Sequence, residues 1–295
     1  MDFKRFYRKL CMKEAYGIAI RSIHCPDAPY KAKYPTALQW YADPFVCGDG
    51  GKEFVFVELM NHYNVYGQIA VAPIENGEVG KFRIVIDEDF HMSFPNVFQW
   101  KGVWYMLPET FMSGQVRLYR AEEFPYRWKL DTVLMKDVEL VDHALFPTEY
   151  GFLAVSYDTL DRGNMHSRVF RLDMEKRGME EIFPSGKWCK ERPGGTFYQK
   201  DGVWHRVIQD CVKTYGDFLH VFRVNEFTEE VFDEEEIKQV HMDDVPVERD
   251  NHKLDFLHTY NRDNRYEAID FRYWKFYPDK FFLHQWQRVY RHRKR

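Results

Sequence analysis

The chain lacks the features that would assign it quickly to a membrane or a secreted class. No run approaches the ~20 apolar residues of a membrane-spanning helix, and charges are scattered through the N-terminal segment, where a signal peptide would be apolar. We therefore expect a cytoplasmic protein. The five cysteines form no CxxC pair, so we expect reduced, packed side chains rather than disulfides or a zinc site. They are Cys11, Cys25, Cys47, Cys189 and Cys211.

The chain also lacks an excess of positive charge. Its formal net charge is −4 at pH 7 and its pI about 6.3, so no overall positive field attracts nucleic acid, and we predict no such partner. The glycines at Gly48, Gly50 and Gly51 do not have GxGxxG spacing, no GxSxG motif is present, and no histidine pair has HxxxH spacing. We therefore predict no cofactor and no metal, with a structural calcium ion between Asp and His side chains as the alternative.

Aromatic residues, by contrast, are abundant, at 18% of the chain. Many lie in a unit that recurs about every 50 residues. The unit is a short apolar strand, a turn with Gly, Asn or Asp, and a second aromatic-rich strand with a polar end, which is typical of a β-hairpin. The copies are Asp43–Glu58, Pro95–Glu109, His143–Asp158, Gly194–Asp210 and Phe256–Asp270.

The spacing of these hairpins leaves room for two further strands in each repeat, and a four-stranded sheet is the blade of a β-propeller. In the second copy the outer strands are predicted at Gln115–Ala121 and Trp128–Met135. We therefore predict an all-β, single-domain, five-bladed β-propeller over residues 1–274, followed by a basic aromatic tail, 275–295.

The two ends of the chain are predicted to meet in the last blade. Because an open blade would leave unpaired strand edges, we expect Tyr16–Ile23 to close the ring beside Tyr266–Tyr273. Short helices are predicted at Asp2–Glu14 and within the acidic stretch Thr228–Asp250, for which a solvated outer loop is the alternative.

The beginnings of the inner strands form a candidate site, because a propeller brings them together around a central funnel. These positions carry carboxylates, imidazoles and a guanidinium, and convergent titratable groups are typical of an active site. The second strands of the hairpins end there too and add further polar groups. The candidates are Asp43, Glu58, His91, Glu109, Asp142, Glu191, Arg192, Gln209, His258 and Asp270.

Glu109 is singled out by its surroundings, because it ends an otherwise apolar strand, VWYMLPE. A carboxylate on the rim of a funnel is easier to account for there than one on an outer face. Burial among Trp104, Tyr105 and Met106 could hold it protonated, while Asp43 beside an arginine would stay ionised. Transfer or hydrolysis of a glycosyl group needs one carboxylic acid and one carboxylate of this kind.

The series ADPF, VDHALF and KERPGGTF resembles the five-bladed furanosidase superfamily of glycoside hydrolase families 43, 32 and 68. That resemblance implies Asp43 as the general base, Asp142 as the carboxylate that tunes pKa values, and Glu191 as the general acid. The chain has ERPGG where those hydrolases have EGP.

A second resemblance covers nearly the whole chain. The runs HMSFPNVFQWKGVWYMLPET, RPGGTFYQKDGVWHRVIQDCVKTYG and HTYN resemble the N-terminal propeller of glucosamine inositolphosphorylceramide transferases and of related bacterial polysaccharide-synthesis proteins. It shifts the general acid from Glu191 to Glu109. The ligand contacts that it implies are Arg192, Arg206, Gln209, Tyr215 and His258.

These patterns together predict a carbohydrate-active enzyme that acts on a glycosidic bond as a hydrolase or transglycosidase. The alternatives are a glycosyltransferase or accessory domain in surface polysaccharide or glycolipid synthesis, and a non-catalytic sugar-binding propeller. The expected partner is a sugar or glycan, lipid-linked or nucleotide-activated. The tail ends RHRKR, so peripheral contact with the inner membrane surface is a further hypothesis, with a solvated tail as its alternative.

Overall fold

The structure is built almost entirely from β-strands. This computed structural model of the protein describes residues 12–36, 39–61, 66–160, 163–212, 216–248, 250 and 252–276. Their strands form five sheets. Two short 3-10 helices, Phe111–Ser113 and Met242–Asp244, accompany them. No helix in the described part of the chain is long and apolar enough to cross a membrane.

The strands follow the chain blade by blade, after β1 (Met12–Ser22) and β2 (Tyr30–Lys33), which join the last blade. Blade 1 contains β3 (Gln39–Asp49), β4 (Lys52–Asn61), β5 (Gln68–Glu75), β6 (Glu78–Val79) and β7 (Arg83–Ile86). Blade 2 contains β8 (Ser93–Trp100), β9 (Val103–Glu109), β10 (Gln115–Glu123) and β11 (Arg127–Lys136). Blade 3 contains β12 (Leu140–Pro147), β13 (Gly151–Asp158), β14 (His166–Asp173) and β15 (Gly178–Ile182). Blade 4 contains β16 (Tyr198–Lys200), β17 (Val203–Gln209), β18 (Leu219–Phe227) and β19 (Phe232–Val240).

Blade 5 joins the two ends of the described chain. It contains β20 (Val247–Glu248), β21 (Leu254–Asp255), β22 (Tyr260–Arg262) and β23 (Tyr266–Phe276), together with β1 and β2. β1 runs antiparallel to β23, from Met12 opposite Phe276 to Ser22 opposite Tyr266. The predicted ring closure and the five-bladed fold are therefore confirmed.

The innermost strands of blades 1, 2 and 3 share a β-bulge at equivalent places, where two residues face one on the second strand. Asp43, Phe94 and Asp142 occupy these bulges with φ of 50, 45 and 51°. For a residue other than glycine this left-handed backbone costs about 1–3 kcal/mol. Because a bulge changes the direction of the side chains, this backbone turns the carboxylates of Asp43 and Asp142 toward the centre of the ring.

Hydrogen bonds near the centre join each blade to the next. Asn96 donates to the carbonyl of His143 at 2.8 Å, and the Leu145 amide donates to Thr196 Oγ1 at 2.9 Å. The Thr196 amide donates to Asn261 Oδ1 at 2.8 Å, and Asn261 Nδ2 donates to the carbonyl of Pro44 at 3.0 Å. These contacts fix the relative positions of the inner strands, on which the site is built.

Apolar side chains fill the space between neighbouring blades. Between blades 1 and 2, for example, Phe56, Phe94 and Met106 are almost fully buried in one cluster. Burial of a side chain of this size stabilises the fold by about 1.5–3 kcal/mol. Most of the aromatic content of the sequence serves this packing.

Both predicted helices are wrong where the structure describes them. Thr228–Asp250 contains the edge strand β19, not a helix, apart from the single turn at Met242–Asp244. Glu14 lies in β1, while residues 2–11 lie outside the described part of the chain. β23 extends to Phe276, two residues into the predicted tail, and residues 277–295 lie outside the described part of the chain.

The cysteines are less uniformly packed than predicted. Cys47 is buried and Cys189 half-buried, but Cys25 and Cys211 are exposed. Both exposed residues lie in loops, after β1 and β17, where no strand face covers the side chain. Cys11 lies outside the described residues.

Candidate active site

Asp43 lies in a buried cluster with two residues of blade 5. His258 Nδ1 is 2.6 Å from Asp270 Oδ2, and His258 Nε2 is 3.4 Å from Asp43 Oδ1. Thr259 Oγ1 donates to Asp43 Oδ1 at 2.8 Å, and the Phe94 amide donates to Asp43 Oδ2 at 3.1 Å. The predicted residues Asp43, His258 and Asp270 therefore meet.

The charges of this cluster set its protonation. Burial alone would lower the pKa of His258, but the charge and hydrogen bond of Asp270 and the charge of Asp43 raise it to about 9. Burial raises the pKa of Asp43 to about 6, against the opposing effect of the His258 charge. At neutral pH the cluster therefore contains an imidazolium between two carboxylates.

This cluster is also the place where the sequence allowed a calcium ion. Asp43, His258 and Asp270 offer ligand atoms that all lie within 4.8 Å of one another. Calcium prefers six to eight oxygen ligands, whereas here an imidazole faces both carboxylates. The imidazolium supplies the positive charge that an ion would bring, so these residues do not fit calcium well.

A second buried group lies between blades 2, 3 and 4. The Arg192 guanidinium donates from Nε to Asp142 Oδ2, and its Nη2 lies 3.4 Å from Glu109 Oε2. Gln209 Nε2 donates to the same Asp142 oxygen at 3.0 Å and to the Pro193 carbonyl at 2.8 Å. One arginine thus joins two carboxyl groups from different blades.

Burial shifts the pKa values of Glu109 and Glu58 upward. Burial, followed by the charge of Asp142, raises the pKa of Glu109 well above its usual range, although Arg192 opposes this. Burial, followed by the charge of Asp43, does the same to the pKa of Glu58. The site therefore combines carboxyl groups that favour the protonated form with Asp43, which faces a cation, and acid and base catalysis needs such a difference.

His91 accompanies Glu58 as a neutral imidazole. Its Nδ1 accepts from the Gly67 amide at 2.9 Å, and its Nε2 lies 3.6 Å from Glu58 Oε1. Burial and then the charge of Arg192 lower the pKa of His91 to about 4. The contact with Glu58 is therefore not an ion pair at neutral pH.

Three predicted residues do not join these groups. Glu191 is exposed, and its backbone carbonyl accepts from Ser167. Arg206 is fully buried within blade 4 and paired with Glu234 at 2.5 Å, so its predicted role as a ligand contact is wrong. Tyr215 lies outside the described residues.

Thr259 is a site residue that the sequence patterns did not indicate. Its amide donates to Asp270 Oδ1 at 3.0 Å, in addition to its hydroxyl contact with Asp43. Its position directly after His258, in HTYN, was the available signal.

A large cleft lies elsewhere, between blades 4 and 5. It has a volume of about 970 Å³ and is lined in part by Tyr30, Tyr198 and Tyr260. None of the four predicted catalytic residues lines it. Within it, both oxygens of Glu267 accept hydrogen bonds, from Arg21 and Tyr260.

The fold and the carboxyl-lined centre define the chain as a five-bladed propeller of the kind found in furanosidases. The GH62 α-L-arabinofuranosidase of Coprinopsis cinerea aligns with a TM-score of 0.57 at 10% identity, over 82% of this chain and 93% of that one. A GH43_1 enzyme from Xanthomonas citri aligns with a TM-score of 0.53 at 11% identity, over 82% and 88%. At this identity the likeness shows the fold alone.

The sequence gives the particular family. Residues 11–253 match the family described as "Glucosamine inositolphosphorylceramide transferase 1, N-terminal", and the chain belongs to this family. The glucosamine inositolphosphorylceramide transferase 1 of Oryza sativa subsp. japonica is 31% identical over 245 residues, 75% of this chain. The chain spans only 30% of the length of that relative.

Proposed function

We propose that this protein acts on a glycosidic bond in the central funnel, with Glu109 as the general acid and Asp43 as the base or nucleophile. The observation that carries this proposal is the placement of two buried carboxyl groups with different partners. Glu109 lies beside Arg192 and Asp142, and its pKa is raised well above its usual range, whereas Asp43 faces the His258 cation. Cleavage or transfer of a glycosyl group uses this combination.

Glu109 has the properties of an acid catalyst. A carboxyl group with a raised pKa can donate its proton to the oxygen of a leaving group, and the carboxylate that results can accept a proton from the incoming hydroxyl group. The negative charge of Asp142 raises the pKa of Glu109, and the positive charge of Arg192 lowers it. Asp142 is therefore proposed as the positioning residue that favours the protonated form of Glu109. The exposure of Glu191 supports Glu109 over Glu191 in this role.

Asp43 has the properties of a base near neutral pH. A pKa of about 6 leaves it mostly ionised at pH 7 but still able to take up a proton. The Phe94 amide and the Thr259 hydroxyl fix its two oxygens. Glu58, His91, Arg192, Gln209, His258 and Asp270 are proposed to surround the sugar or to hold the groups that do.

The class of substrate is argued from the family. The curated relative is named for transfer of glucosamine to inositolphosphorylceramide, so transfer to a glycolipid or glycan acceptor is proposed in preference to hydrolysis of a polymer. Lipid linkage or nucleotide activation of the sugar, and a cytoplasmic location, remain predictions.

Turnover measurements test this function. The full chain is assayed with 4-nitrophenyl glycosides, including pentofuranosides and glucosaminides, and with UDP-activated hexosamines. We expect turnover of at least one of these substrates, reduced at least about 100-fold in Asp43→Asn and Glu109→Gln, while both variants keep the circular dichroism spectrum of the folded wild type. Glu191→Gln is the matched control and should keep the wild-type rate. Equal rates in all three variants would refute the assignment.

A sugar-binding or accessory role is the second candidate, and one observation favours it. The relative that is named as a transferase is much longer, and this chain spans only 30% of its length. A different domain of that relative could therefore carry out the transfer. In that case the panel gives no turnover, while sugars still bind and Asp43→Asn weakens their binding.

A further inference from the structure

The carboxylate of Asp270, in β23, is fully buried behind the candidate base. Four donors face its two oxygens. Oδ2 accepts from the Asp43 amide at 3.2 Å and lies 2.6 Å from His258 Nδ1. Oδ1 accepts from the amides of His258 and Thr259 at 3.2 and 3.0 Å. A carboxylate has about four acceptor positions, so donors of the site itself occupy this group.

These contacts reach Asp43 by three routes. The first is the backbone, because the Asp43 amide belongs to the β-bulge in which φ is 50°. The second is Thr259, whose amide donates to Asp270 while its hydroxyl donates to Asp43 Oδ1 at 2.8 Å. The third is His258, whose Nε2 lies 3.4 Å from the same Asp43 oxygen. One carboxylate thus holds both the backbone of the candidate base and the groups around its side chain.

Asp270 also connects two blades. Asp43 lies on the innermost strand of blade 1, whereas Asp270 lies in blade 5, which joins the two ends of the described chain. Within β23, Asp270 is opposite Ile18 of β1. The strand that closes the ring therefore carries the group that holds the candidate base.

We propose that Asp270 is the positioning residue of the candidate base and fixes the Asp43 carboxylate in its reactive orientation without contacting the sugar. This inference rests on the proposed function of Asp43. Displacement of a catalytic group by about 1 Å can cost about 100-fold in rate, and hydrogen bonds to a charged acceptor resist displacement better than neutral ones. The complete burial of Asp270 supports this indirect role over a direct contact with substrate.

Asp270→Asn removes the support at almost unchanged side-chain size. Asparagine has one acceptor oxygen, so whichever way its amide is turned, its NH2 group faces two of the donors. With a substrate of the panel that wild type turns over, we expect kcat to fall about 100-fold while KM changes little. A wild-type kcat, or a rise in KM alone, would overturn the role.

Side-chain NMR of His258 gives a readout that a merely structural role would not change. Burial lowers the pKa of His258, and among the interactions that raise it the charge of Asp270 comes first, before its hydrogen bond and the charge of Asp43. The titration midpoint of His258 should therefore fall further in Asp270→Asn than in Asp43→Asn. An equal or smaller fall would show that Asp270 does not hold the imidazole.

Glu267→Gln is the matched control. Glu267 is another buried acid of β23, and it bonds to Arg21 and Tyr260 instead. This variant should keep the wild-type kcat and the wild-type midpoint of His258. If both change as much as in Asp270→Asn, general damage to blade 5 explains the loss and the positioning role is refuted.

Wild type alone provides a second measurement, which does not depend on the folding of a variant. Because His258 Nδ1 lies 2.6 Å from Asp270 Oδ2, its ring proton should give a low-field resonance at neutral pH in protein labelled with 15N only in histidine. Turnover by wild type without this resonance would refute the positioning role alone. Absence of turnover with every substrate of the panel would instead refute the proposed function.

Discussion

His258 is the residue on which the charge balance of the site depends. Two carboxylates from different blades face its two ring nitrogens, at 2.6 and 3.4 Å. A buried cation between two anions offsets part of the cost of removing three charges from water. It also keeps Asp43 more acidic than burial alone would allow.

We predict that the His258 imidazole titrates near pH 9 and that Asp43→Asn lowers this midpoint. The folded pKa of about 9 lies above the unfolded value of 6.5. The resulting stabilisation is therefore fully present below pH 6.5 and is lost as pH rises through 9, by at most about 3 kcal/mol. Histidine side-chain NMR measures the midpoint, and urea unfolding at pH 6.5 and 9 measures the stability.

The control for this experiment is Asp201→Asn, because Asp201 is exposed in the turn after β16. It should leave the His258 midpoint unchanged. A His258 midpoint at or below 6.5 in wild type would show that the imidazole is neutral and would contradict the charge assignment.

Most of the candidate residues lie together in the structure because a repeat fixes where inner strands begin. Asp43, Glu109, Asp142, His258 and Asp270 come from four hairpins and meet in the structure. Glu191 did not join them, since it lies outside the strands and its side chain is exposed. Residue type alone could not distinguish these cases.

At the level of the strand, the position of Arg206 follows from the alternation of side chains. Gln209 in β17 contacts Asp142, and Arg206 is three residues earlier, so its side chain points to the other face of the strand. There it meets Glu234 of β19, with both side chains fully buried. Strand parity was thus the signal that could have corrected the prediction.

We predict that removing one partner of this buried ion pair strongly destabilises blade 4. Arg206→Met leaves the Glu234 carboxylate buried without its partner, which should cost about 3–5 kcal/mol. Arg206→Met/Glu234→Gln should recover most of the loss, since no buried charge remains. Urea unfolding measures both.

A surface pair in the same blade serves as the control. Arg223 and Glu235 lie 2.6 Å apart with side chains 48% and 51% exposed. Arg223→Met should therefore cost less than about 1 kcal/mol. If Arg206→Met costs no more than this, the buried pair is not important for stability.

The strand β19 shows why an acidic run misleads a prediction. Its sequence FDEEEIKQV has several exposed charges and suggests a solvated segment. In the structure it is the outer strand of blade 4. The amides of Phe232 and Glu234 donate to the carbonyls of Ser185 and Lys187, and the exposed charged side chains that follow protect the rest of the edge from association with other chains. Pairing with β18 depends on contacts that a local pattern does not contain.

At the scale of the whole molecule, the period of about 50 residues predicted the number of blades and the pairing of the chain ends. It could not predict the contacts between blades, which involve residues far apart in sequence. The pairing of Thr196 with Asn261 and of Asn261 with Pro44 is an example.

We predict that ring closure is essential for cooperative unfolding. Deletion of residues 1–24 removes β1, which pairs with eleven residues of β23 and separates it from β2. The shortened chain should lose its sharp thermal transition in circular dichroism. Deletion of residues 1–11 leaves every β1–β23 pair in place and should retain the transition. A sharp transition in the longer deletion would contradict the role of β1.

The central claim is that the funnel carboxyl groups flank the reacting sugar. It is tested most directly by a crystal structure of Glu109→Gln with a bound glycoside or nucleotide sugar that wild type turns over. We expect the sugar between Asp43 and residue 109, with the two side chains about 5–10 Å apart, a separation that also distinguishes retention from inversion. A sugar bound only in the cleft between blades 4 and 5 would contradict the account.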